Sequence, residues 1–441
     1  MVLTGGLSRE YKTKRVEWCM DMKFTTGVLA ALAVLCLSGE ARQCRNPRPR
    51  KEIRELTPNE LNRFFRAMKI AHSELRQDKM THFDYFAYIH TKYQDIAHFE
   101  PAFLPWHRFY LREMERKLQS IDPGVMLPYW DWSLDSQAPH ESPVLSSRYM
   151  GGRGNPNADF CLQDGPFANW TTNFPNRHCL RREYDQGPKV SPLPTPESII
   201  LDLNEERFSD FAVQLEIKHG YPHASVGGDA GDLLAMHSPN DPLFYLHHTF
   251  IDMLWYQWQQ RHPNSNPYDG ARYRKPTTLD EILVPFGKTT VRSTLDTRDE
   301  AYCYYYPEWP RVIMSPRVPE RVRAEINTQT RLNPFLGGNG RQNFLRIFQG
   351  AQSFNQISTQ GLTVQGLLGR NFHFNLTELL GGGHMLSSPK HLNERFIAMN
   401  RLDPEEVEKS EARDSLFLKL LNSDLSFSSL TFSQAIANKF L

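Results

Sequence analysis

The sequence predicts a mainly α-helical chain with long loops and a small amount of β, on three observations. Residues 236–259, MHSPNDPLFYLHHTFIDMLWYQWQ, read as a loop, a sharp helix start and a long apolar helix. Residues 97–119, AHFEPAFLPWHRFYLREMERKLQ, are built the same way, with an imidazole on the apolar face. Several further stretches place apolar residues at helical spacing, whereas 136–196 shows no period and is rich in turn formers.

Taken in order, 42–54 is a basic, proline-containing extended lead-in. Thr57-Pro-Asn-Glu60 then forms a capping box with Pro58 at the first helical position. Leu61, Phe64, Phe65, Met68, Ile70 and Ala71 supply that helix's apolar side. A second helix covers 84–93, with Phe83, Phe86 and His90 along one side. Pro105 opens the third. Its His107, Leu111, Met114 and Leu118 share a face, while Arg112, Glu113, Arg116 and Lys117 point mostly outward, so His107 faces the core. His98 stands in the loop before it. Met126-Leu-Pro-Tyr-Trp-Asp-Trp132 reads as packing, with Asp131 accepting from buried N–H groups. A loop as long as 136–196 is more often functional than idle.

Phe208, Phe211, Ala212 and Leu215 repeat as a helix over 205–217, which leads into His219-Gly-Tyr-Pro-His223. Histidines at i and i+4 share a helix face, although Gly220 and Pro222 argue against a regular helix through them. In 236–259, Asp241 is placed to cap and Pro242 to be the first helical residue. Phe244, His248, Ile251, Asp252 and Trp255 then fall on one stripe. Beyond 310 no motif is legible; 311–441 is a small domain, a lid or a partly disordered tail, with glycine turns at 337–338 and 381–383 and a charged run over 403–414.

The chain has 441 residues, 12% of them aromatic, and a formal charge of +1, which gives no reason to expect nucleic acid or an anionic membrane as partner. Lys23, the apolar run 27–37 and the small residues Ser38, Gly39 and Ala41 lay out a secretory signal, expected to be cleaved after Ala41. The run is short for a membrane span, leaving a signal anchor as the weaker reading. Met22 is the alternative start to Met1, since 1–21 is polar. Export leaves Cys44, Cys161, Cys179 and Cys303, which permit three pairings. The favoured one is Cys161–Cys179 with Cys44–Cys303, the second tying the mature N-terminus to the end of the histidine-bearing region. Asn169-Trp-Thr171 and Asn375-Leu-Thr377 are glycosylation acceptors in an exported chain.

Two core helices, each with an inward histidine and another histidine nearby, point to a paired imidazole metal site. Imidazoles without thiolate suit zinc, copper, iron or nickel, so ligand type alone does not select among them. The strings AHFEPAFLPWHR, LPYWDW and SPNDPLFYLHHTFIDMLW resemble the copper A and copper B signatures of the tyrosinase family, the type-3 dicopper proteins that include catechol oxidases and molluscan haemocyanin units. The resemblance covers about 50–310 and is specific, because several fixed spacings must hold at once. It implies a four-helix bundle core holding two copper ions per chain. His90, His98 and His107 are the implied ligands of one ion, and His219, His223 and His248 of the other. His72 and His82 compete with His90, and His247 with His248, although only His248 shares the stripe with Phe244 and Trp255. Tyr302-Cys-Tyr304 resembles the tyrosine motif closing the family's catalytic domain, so the chain divides into 1–41 (signal), 42–310 (dicopper domain) and 311–441 (C-terminal extension). The segments 164–170 and 179–182 resemble loops lining the family's site mouth.

Family chemistry implies oxidation of o-diphenols, and in some members hydroxylation of monophenols, with O2. Good hydroxylases often carry Asn directly after the first copper B histidine, where with a glutamate it holds a water that deprotonates the phenol. Here that position is Gly220. Glu216 is the candidate for the glutamate, against an ordinary helix-surface charge. Ala224 is expected to leave the entrance unobstructed. Ile96, two before His98, rules out the Cys–His thioether of some relatives. Asp252 is either a partner for a ligand ring or part of a surface salt bridge. The expectation is a secreted, extracellular phenol oxidase, stronger on diphenols than on monophenols, acting on phenolic small molecules or protein tyrosines for pigment formation or matrix crosslinking. The alternatives are a haemocyanin-like O2-binding protein and a matrix component with dispensable activity.

Overall fold

The structure is a computed structural model that describes residues 43–98, 101–272, 275–307 and 386–422. The expected signal, Asn375 and the glycine turns at 337–338 and 381–383 lie outside the described residues. Helix α1, Pro58–Ser73, begins with the expected capping box: Thr57 accepts from the Glu60 N–H and Glu60 reaches back to the Thr57 N–H. Helix α2, His82–Lys92, is capped by Thr81. The short α3, Gln94–Ala97, ends at His98. Helix α4, Phe103–Ile121, starts two residues before Pro105, which therefore sits in the first turn, where no intrahelical donor is needed. Helices α5, Pro196–Leu203, and α6, Phe208–Gly227, follow the long loop.

Helix α6 runs straight through Gly220 and Pro222, where local propensity argues for a break. The stretch 215–227 is buried along its whole length, and tertiary packing offsets the missing Pro222 donor. Helix α7, Leu243–Arg261, is apolar on all sides because it is central: every residue from Leu243 to Trp258 is buried. Its start lies one residue later than expected, with Pro242 as the cap position. Asp241 still accepts from the Leu243 N–H at 2.9 Å, but its carboxylate is gripped by buried Arg182 through Nε at 3.0 Å and Nη2 at 2.8 Å. Arg182 also donates to the carbonyls of Met150 and Gly151. The 179–182 segment thus buttresses the start of α7, a structural duty that its likeness to a mouth loop does not convey.

Among the described residues, the β ladders are three two-residue pairs. Strands β2, Thr171–Thr172, and β3, His178–Cys179, pair antiparallel, as do β4, Ala271–Arg272, and β5, Lys275–Pro276. Strand β1, Arg48–Pro49, pairs in parallel with β6, Tyr304–Tyr305, joining the two ends of the helical domain. The Cys44–Cys303 disulfide closes the same seam, and Cys161–Cys179 staples the long loop, as favoured from the sequence.

Behind the seam lies a buried ionic network. Asp252 accepts from Arg50, Arg108, Tyr304 and Tyr306, and Arg50 also grips Glu115 through two bonds of 3.0 Å. Burial alone would raise the Asp252 carboxyl; Arg108 and Arg50 outweigh it and hold it below the usual range. Asp252 is therefore neither a partner of a ligand ring nor a surface ion: it neutralises two arginines that join α7 to α4 and to the residue after β1.

Two helices of the C-terminal extension are described: α8, Glu394–Asn400, and α9, Pro404–Asn422. Buried Lys218 of α6 ties them to the body, bonding Asp202 at 2.7 Å and Asp414 at 2.9 Å, while Arg413 bridges Asp202 and Glu205. Among the described residues, no helix is long and apolar enough to cross a membrane.

Candidate metal centre

Four helices and one loop deliver seven buried histidines to one interior point. His90 comes from the last turn of α2, His98 from the residue after α3, His107 from α4, His219 and His223 from α6, and His247 and His248 from α7. They form two groups, His90–His98–His107 and His219–His223–His247–His248, each with ligand atoms within 4.8 Å of one another. The groups touch: the His107 and His248 rings stack with centroids 4.4 Å apart. Of the competitors for the first position, His72 bonds the Thr171 carbonyl and packs tilted against Trp170, and His82 begins α2; neither reaches the centre.

Ring orientation is set by backbone carbonyls. Nδ1–H of His90 donates to Met236 at 2.7 Å, that of His107 to Phe103 at 2.9 Å, that of His219 to Glu216 at 3.0 Å and that of His223 to Leu233 at 2.6 Å. Each of these bonds fixes the tautomer and leaves the Nε2 lone pair pointing inward, the arrangement that metal-ligating histidines require. The consequence is a set of facing lone pairs. His90 and His107 bring Nε2 atoms to 3.3 Å with both Nδ1 protons committed elsewhere, so no proton joins them. His219, its Nδ1 proton given to Glu216, keeps a buried Nε2 with no hydrogen-bond partner. Clustered, partnerless acceptors are costly unless a cation fills the space between them, so the donor set fits a pair of metal ions.

Burial keeps these rings neutral. It pushes His90 down to about 3, against the opposing bond to Met236, and His223 down to about 4. His98, His107, His219, His247 and His248 are lowered too, first by burial and then by one another.

The neighbours His247 and His248 are separated by a bond that sequence reading missed. Buried Trp132 donates its indole N–H to His247 Nδ1 at 3.1 Å, so neutral His247 carries its proton on Nε2. His248 Nε2 instead faces His223 Nε2 at 3.1 Å, inside the cluster. The signal was present in the LPYWDW string, but its contact is 115 residues away in the chain.

Glu216 is buried at 3% exposure, one turn before His219, which excludes an ordinary surface charge. Ala224 is buried, but the approach is not open as expected. Phe396 of α8 lies over the α6 histidines, its ring 5.7 Å from His223 and near-parallel to it, and 5.8 Å from His219. Gly220 makes room for it: a Cβ there would stand 2.6 Å from Phe396 Cε1 and 3.0 Å from Leu392 Cδ2.

A helical core that gathers facing neutral imidazoles from α2, α4, α6 and α7 defines a dinuclear metal protein. The profile described as the common central domain of tyrosinase matches residues 80–261. The tyrosinase of Streptomyces antibioticus is 36% identical over 275 residues, 56% of this chain and 96% of that protein. Tyrosinase ustQ of Aspergillus flavus is 33% identical over 290 residues, covering 60% of this chain and 80% of that one. Among solved structures, a polyphenol oxidase variant from Thermothelomyces thermophila aligns with TM-score 0.52 at 21% identity, covering 64% of this chain and 93% of that one, a likeness of fold. The chain belongs to the tyrosinase family. It is accordingly a copper oxidoreductase of the tyrosinase type with a dinuclear copper centre.

Proposed function

We propose that the protein is a secreted phenol oxidase that converts o-diphenols to o-quinones with O2, and that His90, His98 and His107 hold one copper ion and His219, His223 and His248 the other. Bound copper supplies O2 binding and the two-electron oxidation of each catechol, two catechols being consumed per O2 reduced to water. The protein's residues do the rest. Carbonyls of Met236, Phe103, Glu216 and Leu233 hold the rings, Trp132 keeps His247 out of the ligand set, and the aromatic shell of Phe103, Trp106 and Phe244 excludes water.

The observation that carries this reading is the facing of His90 and His107 at Nε2, with no proton to share. Diphenol oxidation exceeds monophenol hydroxylation because Gly220 has no side chain to orient a water, and in this fold its place is filled by Phe396. Glu216 is the residue proposed to accept a phenol proton. On purified copper-loaded protein, L-DOPA oxidation is expected to outrun L-tyrosine hydroxylation by at least about tenfold, roughly 1.4 kcal/mol in barrier; equal rates refute the Gly220 argument. Quinones released outside the cell suit pigment formation or the crosslinking of matrix proteins.

One observation favours O2 binding without turnover: the Phe396 ring lies near-parallel to His223 at 5.7 Å, the place a phenol ring would need. A carrier would show O2 binding that persists with catechol present, even after Phe396 is removed.

A further inference from the structure

A second cluster of metal-binding chemistry lies outside the dinuclear centre. His178 of β3, Asp232 in the turn after α6, and His237 place one ligand atom each within 4.8 Å of the others. His178 donates Nδ1–H to the Asn176 carbonyl at 2.6 Å, which turns Nε2 toward Asp232 Oδ1 at 2.8 Å. His237 brings its Nε2 to 3.4 Å from the same oxygen. Asp232 is 2% exposed, and its other oxygen is committed to the Arg181 backbone N–H at 2.8 Å. The carboxylate is thus fixed, and both imidazole nitrogens converge on its other oxygen, which also accepts from the Asn240 side-chain amide at 3.4 Å. The side chains of His178 and His237 are 14% and 26% exposed, so water can complete a coordination shell.

We propose that His178, Asp232 and His237 form a third, mononuclear site for a divalent transition ion of the zinc class. Two imidazoles and one carboxylate with room for water are a donor set that such ions accept, and the absence of thiolate leaves the site exchangeable. Without an ion, the cluster is a shared contact of two histidines with one carboxylate. Two cations stand near His237: Arg181, already paired with Asp159, and Arg395, which donates to the Asp229 carbonyl. They weaken the site but do not occupy it.

Its position gives the site a consequence. Asp232 is the chain neighbour of Leu233, whose carbonyl orients His223, and His237 is the neighbour of Met236, whose carbonyl orients His90. The 232–237 segment therefore holds one ring from each half of the dinuclear centre. An ion joining both ends of that segment to His178, which the Cys161–Cys179 disulfide anchors, stiffens the support of both halves.

The test is zinc uptake by the copper-loaded protein, with both metals counted by mass spectrometry after removal of free zinc. One zinc per chain is expected, with copper unchanged at two. His178→Gln and His237→Gln are each expected to weaken zinc binding at least about tenfold while retaining copper; His391→Gln, a histidine held between two carboxylates of the C-terminal extension, leaves it unchanged. X-ray absorption at the zinc edge on the unmutated protein gives an answer independent of the variants' folding: nitrogen and oxygen neighbours at about 2.0–2.2 Å, including two imidazoles, are expected. No zinc uptake, zinc gained only as copper is lost, uptake by both variants equal to that of the unmutated protein, or a zinc shell without imidazole overturns the proposal.

Discussion

The neutrality of the buried imidazoles has a cost that appears on acidification. His90 at about 3 and His223 at about 4 lie below the ordinary 6.5 of the unfolded chain. A depressed folded value means that the unfolded state binds more protons. Stability contributed by these rings is fully present above pH 6.5 and is lost progressively from there down to the folded values of about 4 and about 3. At pH 5 the loss is about 2 kcal/mol for each of the two rings. Denaturant unfolding of the copper-free protein is therefore expected to weaken steeply between pH 7 and pH 5; a flat profile would mean that the rings are not buried as neutral bases. At the same scale, His247 and His248 separate by tautomer. His248→Ala is expected to lose one copper and essentially all oxidase activity, whereas His247→Gln keeps both ions, as read by copper analysis. The helical stripe favours His248, and the Trp132–His247 bond that supports this assignment needed the fold.

At the scale of elements, the helices that bear histidines were legible because their apolar period and their caps agree: Thr57 and Glu60 close their box, and His107 and His248 face inward on α4 and α7. Some readings failed for tertiary reasons, the open approach expected at Ala224 among them. Helix α6 passes through Gly220 and Pro222 because burial outweighs local preference. Asp252 left the histidines for Arg50, just after β1, and Arg108 of α4, partners that no local pattern announces. The C-terminal pair α8–α9 was unreadable because its meaning lies in a contact: Phe396 seated on Gly220. Replacing Phe396 by Ala opens the approach, and kcat/KM for catechol is expected to rise about tenfold, or about 1.4 kcal/mol. An unchanged value would show that substrate reaches the centre by another path.

Across the whole molecule, the two ends of the helical domain are fastened three times, by β1–β6, by Cys44–Cys303 and by the Asp252 network. The network is internal, and removing the Asp252 carboxylate takes from Arg108 its counter-charge and from Arg50 one of two. Asp252→Ala is expected to cost about 3–5 kcal/mol in urea unfolding, with copper binding lost only as the fold is lost. A much smaller cost would mean that water reaches the arginines. The spacing that identified the dinuclear centre is also what this frame preserves: α2, α4, α6 and α7 must meet at one point for the imidazoles to converge.

Copper analysis and catechol oxidation on one purified, folded sample test that convergence most directly. Two copper ions per chain, with oxidation that disappears when copper is chelated and returns when it is restored, is the expected result. Folded protein that binds no copper, or only one ion, or that oxidises catechol equally well after chelation, contradicts it.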